Sequence, residues 1–160
     1  MGDFPRDVKR VSAFLLESGA EARIEEFAVE TATAADAAEA VGCDVGQIVK
    51  SLVVLCDERP VIALVPGDRR GDMLKIARAA GATRGRIAHA REVPVLTGFA
   101  PGAVAPFPVE RIERVLIERT LLAHDDVWIG AGSTRHMATL PTRELVRLAK
   151  AAPADLITAD

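Results

Sequence analysis

The chain has 160 residues, of which 49% are hydrophobic and 27% are charged, and its formal net charge is −3 at pH 7. This size and this balance are typical of one folded domain with its own apolar core, so we predict a single domain over residues 1–160. The negative net charge argues against broad, charge-driven binding of nucleic acid, and no apolar run reaches the roughly 20 residues that a bilayer requires. The first six residues lack the apolar stretch of a signal peptide, and we therefore expect a cytoplasmic protein.

Residues 1–66 predict two helices followed by a buried hairpin. The first amphipathic pattern stops at Gly19, and Thr33 with Asp36 forms a capping-box-like start to an alanine-rich helix. Two near-continuous apolar runs joined by Asp57-Glu58-Arg59-Pro60 are typical of paired strands that are buried on both faces. The predicted elements, in chain order, are a helix over 6–18, a strand over 23–30, a helix over 34–41, a single turn over 44–47 and strands over 51–56 and 61–65.

The second half of the chain alternates between further helices and strands. Gly81 closes one predicted helix, and Pro94 lies inside a weaker helical pattern. Because both a hairpin and helical crossovers are predicted, the fold class is α/β, with a mixed and mostly antiparallel sheet flanked by helices. The predicted elements are helices over 72–80 and 90–97, a loop over 98–108, strands over 113–118, 126–130 and 135–140, and a helix over 142–151.

No motif for a metal or a redox cofactor appears in the chain. The three histidines are far apart and lack the i,i+4 pairing of a zinc-binding helix, and the two cysteines lack metal or redox spacing. We therefore expect no metal and no cofactor, with surface or hydrogen-bonded histidines and small, reduced core cysteines. The residues concerned are His89, His124, His136, Cys43 and Cys56.

Lys50 lies where a short polar turn meets an apolar strand. A charged ammonium group at that position is costly unless an anionic or electron-rich group meets it. Two glycine-rich stretches, 97–102 and 130–133, could bring backbone N–H groups close to a ligand, and together with Lys50 they predict a small-ligand pocket. The residues alone leave two alternatives open: an edge lysine that faces water, and glycines that serve only turns and helix ends.

Basic residues are concentrated in one segment of this mildly acidic chain. Residues 69–91 contain seven arginines and lysines and a single acid, Asp72. Such a run most often forms a helix face that is exposed to solvent, and the alternative is a local surface that binds the phosphate backbone of a nucleic acid.

Six short motifs occur in an order and at spacings that are specific when they are taken together. They are Val41-Gly42, Gln47-Ile48-Val49-Lys50-Ser51-Leu52, Val65-Pro66-Gly67-Asp68, Thr97-Gly98-Phe99 with Gly102, Ile117-Glu118 and Gly130-Ala131-Gly132. Over about residues 20–157 the chain resembles the YbaK/ProX family of aminoacyl-tRNA deacylases, which are similar to the editing insertion domain of bacterial prolyl-tRNA synthetase. The resemblance implies a YbaK-like fold with a barrel-like sheet.

The resemblance implies a trans-editing hydrolase that cleaves the ester of a mischarged small amino acid on tRNA. Alanine and cysteine are the expected amino acids, with serine and threonine as further candidates, on tRNA for proline. Prolyl-tRNA synthetase is a candidate partner, and no membrane is involved. Two positions depart from the family: Glu118 replaces a common aspartate, and Ser51 replaces the asparagine frequent in alanine-specific members, which weakens an alanine assignment.

By the same resemblance, Lys50, Gly98 and Gly102 are the expected catalytic residues. Lys50 would place positive charge on the ester carbonyl or the terminal phosphate, and the glycine turns would donate N–H groups to the oxyanion. No general base is evident, so we expect help from the tRNA ribose hydroxyl or the substrate amine. Arg69 and Arg70 are the expected tRNA contacts. The expected substrate contacts are Thr31, Thr33, Ser51, Phe99, Gly130, Gly132 and Ser133, with helix capping as the alternative for both threonines.

Two alternatives to a deacylase follow from the same residues. The first is a non-catalytic module of the same fold that binds tRNA or a synthetase, and the second is a regulator that binds a small molecule or an anion. The retained Lys50 favours an enzyme over a binding module, and the basic segment 69–91 favours either RNA hypothesis over the regulator.

Overall fold

The computed structural model describes residues 3–31 and 33–159. The helices of this part of the chain are α1 Arg6–Glu17, α2 Ala34–Val41, α3 Met73–Ala79, α4 Val93–Thr97 and α5 Thr142–Ala149, with short 3-10 turns at Val45–Gln47 and Arg119–Ala123. The strands are β1 Arg23–Glu26, β2 Val49–Cys56, β3 Arg59–Pro66, β4 Gly85–Ile87, β5 Arg114–Glu118, β6 Asp126–Ser133, β7 His136–Pro141 and β8 Ala152–Ala154.

The strands form two sheets. One has the order β1-β7-β6 and is antiparallel throughout, and the other has the order β4-β2-β3-β5-β8. In the second sheet β5 runs parallel to β3 and to β8, whereas β2 is antiparallel to both of its neighbours. A parallel bridge between Ile48 and Trp128 connects the two sheets. The predicted α/β class with a mixed, mostly antiparallel sheet is therefore confirmed, although the sheets do not close into a barrel.

Strand β2 is buried on both faces, as its apolar run predicts. Val53 and Leu55 pack into the main core cluster, which also contains residues of α1, β6, β7 and α5. Val54 and Cys56 point to the opposite face, where they join a second cluster with Ile76 of α3. Side chains alternate along a strand, so this division fixes the face of every other residue of β2.

Several element bounds differ from the sequence predictions for identifiable reasons. The strand predicted over 23–30 ends at Glu26, because its partner β7 begins at His136 and the residues before His136 form the turn of the β6–β7 hairpin. The helix predicted over 90–97 begins at Val93, because Pro94 is tolerated only in the first turn. Strands β4 and β8 escape prediction because each has three residues and little apolar pattern.

The turn between β2 and β3 is tighter than predicted. Asp57 and Glu58 both have positive φ, at 50° and 63°, and β3 begins directly at Arg59. A two-residue turn of this kind matches the right-handed twist of the paired strands. No helix in the described ranges has both the length and the apolar character to cross a bilayer.

Candidate functional site

A cavity of about 230 Å³ lies where the two sheets meet. Its walls are the first residues of β2, the β6–β7 hairpin, the segment leading into α2 and the loop around Gly102. This volume is below the range of drug-sized pockets and suits a small group. Seven of the twelve predicted site residues line it, namely Thr31, Thr33, Lys50, Ser51, Gly102, Gly130 and Ser133.

Lys50 lines the cavity and anchors the neighbouring loop. Its Nζ donates a hydrogen bond to the carbonyl oxygen of Arg69 at 2.7 Å, which uses one of the three ammonium donors. Burial lowers the pKa of Lys50 below its ordinary value, and the nearby carboxylate of Asp68 opposes part of that shift. The ammonium is therefore partly desolvated, which strengthens its interaction with any electron-rich group in the cavity.

Ser51 lies on the opposite face of β2 from Lys50, together with Val49 and Val53. Its hydroxyl oxygen is buried and has no hydrogen-bond partner among residues 3–31 and 33–159. Leaving a buried hydroxyl group without a hydrogen bond costs about 1–3 kcal/mol, so such groups are rare in folded proteins. Ser51 thus offers a donor and two acceptor positions beside the cavity.

The two threonines at the cavity wall have their hydroxyl groups engaged. Thr31 Oγ1 donates to the carbonyl oxygen of Thr134 at 3.0 Å. Thr33 is the N-cap of α2, and its Oγ1 accepts from the backbone N–H of Asp36 at 3.1 Å. The capping alternative therefore accounts for the Thr33 hydroxyl, and both residues shape the wall through fixed side chains.

The glycines at the cavity differ in how closely other atoms approach them. A Cβ atom on Gly130 would lie 2.6 Å from the carbonyl oxygen of Val104, so only glycine lets that loop pass over β6. Gly102 has a φ of +81°, and a Cβ atom there would meet only the Thr134 side chain, at 3.9 Å. Gly102 therefore leaves its part of the cavity mouth open.

Gly98 and Gly132 lie away from the cavity. Gly98 ends α4 in a left-handed conformation, and its carbonyl oxygen accepts a hydrogen bond from Arg10 at 2.9 Å. Gly132 packs against the start of α1, where a Cβ atom would lie 2.8 Å from the backbone of Asp7. The positions of both glycines agree with the alternative in which glycines serve turns and helix ends and do not contact a ligand.

Phe99 and the two arginines are also outside the cavity lining. Phe99 is 1% exposed and belongs to the main core cluster, with the Arg10 guanidinium 4.7 Å from its ring centroid. Arg69 donates from its side chain to the carbonyl oxygen of Thr158 at 2.8 Å. The Arg70 side chain is exposed, and its backbone carbonyl accepts from the N–H of Thr158.

His136 is the one ionisable residue, among the described residues of the cavity lining, that sequence reasoning missed. It is 4% exposed, and its Nδ1 lies 2.6 Å from Ser133 Oγ. Ser133 and His136 are a cross-strand pair at the end of the β6–β7 hairpin. Ser133 lies outside the strand predicted over 126–130, and a register shift between Gly130 and Ser133 brings it opposite His136, so the local sequence pattern does not indicate this pair.

Comparisons with known proteins agree with this architecture. Residues 28–148 match the model of the aminoacyl-tRNA editing domain. A proline–tRNA ligase of Anaeromyxobacter dehalogenans is 40% identical over 82 residues, which are 51% of this chain and 14% of the ligase. The chain spans less than a quarter of the length of the ligases that it matches.

Two smaller proteins match over most of their length. A candidate Cys-tRNA(Pro)/Cys-tRNA(Cys) deacylase of Enterococcus faecalis is 24% identical over 127 residues, which are 79% of this chain and 77% of that protein. The crystal structure of a candidate trans-editing enzyme for prolyl-tRNA synthetase superposes with a TM-score of 0.91 at 35% identity, covering 98% of this chain and 100% of that one. The resemblance seen in the sequence motifs is thus confirmed, and the chain belongs to the family of aminoacyl-tRNA editing domains.

Proposed function

We propose that the protein is a trans-editing deacylase that hydrolyses the ester between a small, wrongly attached amino acid and tRNA. The observation that carries the proposal is the small cavity at the junction of the sheets, with a partly desolvated Lys50 in its wall. A synthetase active site separates side chains that differ by one methylene by only about 1–3 kcal/mol, so a second and smaller sieve is needed. A cavity of about 230 Å³ fits that task.

The chemistry that we propose places the ester carbonyl near Lys50. The ammonium group would stabilise the charge that develops on the carbonyl oxygen, an effect that is larger in a partly desolvated site. Backbone N–H groups at the cavity mouth near Gly102 are candidate additional donors. Each well-placed donor of this kind is worth a factor of about 10²–10³ in rate.

Ser51 favours a side chain that can form a hydrogen bond. A hydroxyl or thiol group in the cavity would pair the buried Ser51 hydroxyl, whereas a methyl group would leave it unpaired. We therefore propose that cysteine, serine and threonine are removed in preference to alanine. The Enterococcus faecalis relative, which is named for cysteine deacylation, supports cysteine as one of these amino acids.

We propose that the tRNA is one that accepts proline and that its phosphates meet the loop around Arg69 and Arg70. The Arg69 carbonyl is bonded to Lys50, so this loop adjoins the cavity. Prolyl-tRNA synthetase is the proposed partner, and the cytoplasm, where charged tRNA is used, is the proposed location. The matches to proline–tRNA ligases support both the carrier and the partner.

The deciding experiment measures ester loss from tRNA for proline charged separately with alanine, cysteine, serine, threonine and proline. We expect hydrolysis of the small non-cognate esters, retention of prolyl-tRNA, and loss of activity in Lys50→Ala. The matched control is Lys9→Ala, since Lys9 is an exposed lysine of α1 that does not line the cavity. Binding of charged tRNA without hydrolysis would instead support the non-catalytic module.

A second experiment tests the tRNA surface with Arg70→Ala, because the Arg70 side chain is exposed whereas the Arg69 side chain also holds Thr158. We expect a higher KM, a flatter dependence of KM on salt and an unchanged kcat, because phosphate contacts position nucleic acid and weaken as salt rises. Lys9→Ala again serves as the control. An unchanged affinity for tRNA at low salt would show that Arg70 is only a solvated surface residue.

A further inference from the structure

Segment 155–158, which follows β8, lies along loop 67–72, which connects β3 to α3. The segment is outside the range 28–148 that matches the family model. Backbone contacts join the segment and the loop in an antiparallel arrangement. They include the bridge between Gly71 and Ile157 and the hydrogen bonds from the N–H of Asp72 to the carbonyl oxygen of Leu156 at 2.8 Å and from the N–H of Thr158 to the carbonyl oxygen of Arg70 at 2.9 Å.

Two basic side chains add bonds to the same segment. The Arg69 guanidinium donates to the carbonyl oxygen of Thr158 at 2.8 Å, and the Lys75 ammonium donates to the carbonyl oxygen of Ile157 at 2.7 Å. Lys75 Nζ also lies 3.1 Å from both carboxylate oxygens of Asp155, and this contact lowers the pKa of that carboxyl group. Both basic side chains therefore hold the protein's own backbone.

Buried groups fix segment 155–158 in place. Leu156 and Ile157 are buried in the second core cluster. Glu118, which is also fully buried, accepts from the backbone N–H of Leu156 with Oε1 and from that of Thr120 with Oε2, both at 2.8 Å. Since buried polar groups are costly unless they are paired, these bonds resist displacement. The segment is thus a fixed support for the loop beside it.

The opposite side of loop 67–72 holds the ammonium group of the cavity. The backbone carbonyl of Arg69 accepts from Lys50 Nζ at 2.7 Å, while the side chain of the same residue reaches Thr158. Lysine carries its charge on a flexible four-carbon stem, so a fixed acceptor is needed to hold the ammonium in one place. The position of Lys50 Nζ therefore depends on how firmly the loop is held.

We propose that segment 155–158 is a positioning element of the deacylase, which holds loop 67–72 and, through the Arg69 carbonyl, keeps the Lys50 ammonium at the ester carbonyl. This proposal rests on the deacylase function proposed above. Arg69 and Lys75 are the positioning residues, because each ties the segment to the loop or to α3 and acts on the reaction through Lys50. Such positioning matters because a catalytic group that is displaced by about 1 Å can lose about 10²-fold in rate.

The first test compares two variants of α3 in single-turnover hydrolysis at saturating full-length protein, with the ester that the wild type hydrolyses fastest. Lys75→Met removes the bond to Ile157 and the ion pair with Asp155, whereas Arg78→Met removes an equal charge from an exposed position of the same helix. We expect Lys75→Met to lower the rate by about 3–10-fold, less than a full 1 Å displacement would, because the other contacts remain. Arg78→Met should keep a rate near that of the wild type, and the Kd for charged tRNA should be the same in both variants.

The second test uses Arg69→Ala, which keeps the backbone carbonyl that accepts from Lys50 but removes the bond to Thr158. We expect a rate about 10–100-fold lower at saturating protein. A hydrogen-bonded and partly desolvated ammonium exchanges its protons slowly with water, so Lys50 should give a proton–nitrogen NMR signal in the wild type. Arg69→Ala should lose this signal and Arg78→Met should keep it, whereas a role in stability alone would lower Tm and leave the signal unchanged.

The outcomes separate the positioning element from the deacylase itself. Unchanged rates in both Lys75→Met and Arg69→Ala would overturn the positioning role, while Lys50→Ala still tested the deacylase. Equal losses of rate in Lys75→Met and Arg78→Met would also overturn it, since charge and not the contact with the segment would then matter. A wild-type protein that hydrolyses none of the esters would overturn the deacylase. In that case a lost Lys50 signal in Arg69→Ala would support the positioning alone, and a retained signal would overturn it as well.

Discussion

Replacing Ser51 with alanine should stabilise the protein, although the change removes a polar group from its proposed binding site. The Ser51 hydroxyl is buried without a partner, and such groups cost about 1–3 kcal/mol. The residue as a whole is only partly buried, so we expect the lower end, about 1 kcal/mol. For a domain of 150–250 residues that corresponds to a Tm increase of about 2–4 °C.

The assay is urea and thermal unfolding of the variant beside Ser133→Ala. Both variants lose one hydroxyl group, but the Ser133 hydroxyl is paired with His136 at 2.6 Å, so its loss should destabilise the fold. The opposite signs test the reasoning directly. If Ser51→Ala lowered the free energy of unfolding as Ser133→Ala does, the Ser51 hydroxyl would have a partner in solution and the argument would fail.

The same variant should change selectivity in the deacylation assay. Without the Ser51 hydroxyl, we expect the ratio of kcat/KM for seryl-tRNA over alanyl-tRNA to fall by about 5–30-fold, because one hydrogen bond to a substrate hydroxyl is worth about 1–2 kcal/mol in such a site. A gain in stability with unchanged selectivity would mean that the hydroxyl does not meet the substrate.

Two further predictions concern stability alone. Gly130→Ala should lower the free energy of unfolding by about 1–3 kcal/mol in urea melts, because its Cβ atom would lie 2.6 Å from the Val104 carbonyl oxygen; a neutral result would show that the loop moves freely. The Arg86 guanidinium, followed by the backbone N–H of His89, lowers the pKa of Glu92 from 4.5 to about 2. A carboxyl group whose pKa is lowered in the folded state stabilises the fold at pH values above its unfolded pKa, so this contribution should be lost as the pH falls from 4.5 towards 2. Glu92→Gln should therefore flatten the dependence of the free energy of unfolding on pH in that window, and should leave the dependence near pH 7 unchanged.

The helices and the buried hairpin could be predicted from local patterns because their signals are local. The amphipathic repeat of α1 and the cap at Thr33 each lie within a few residues of the element that they define. The element bounds that the sequence predicted wrongly depend on strand partners that are distant in the chain. The end of β1 is set by where β7 starts, and β4 exists because β2 extends past the cavity to pair with it.

The sequence by itself determined the α/β class, the position of Lys50 at the start of β2 and the family to which the motifs point. These follow from periodicity, turn residues and ordered motifs, all of which are written along the chain. Only the tertiary structure decided which residues meet in the cavity. Gly98, Phe99 and Gly132 belong to the sequence motifs yet pack outside the cavity. His136 belongs to no motif yet lies in the cavity wall. The physical reason is that strand pairing and close packing bring together residues far apart in sequence, and the free energy that selects those contacts is not a property of any short segment.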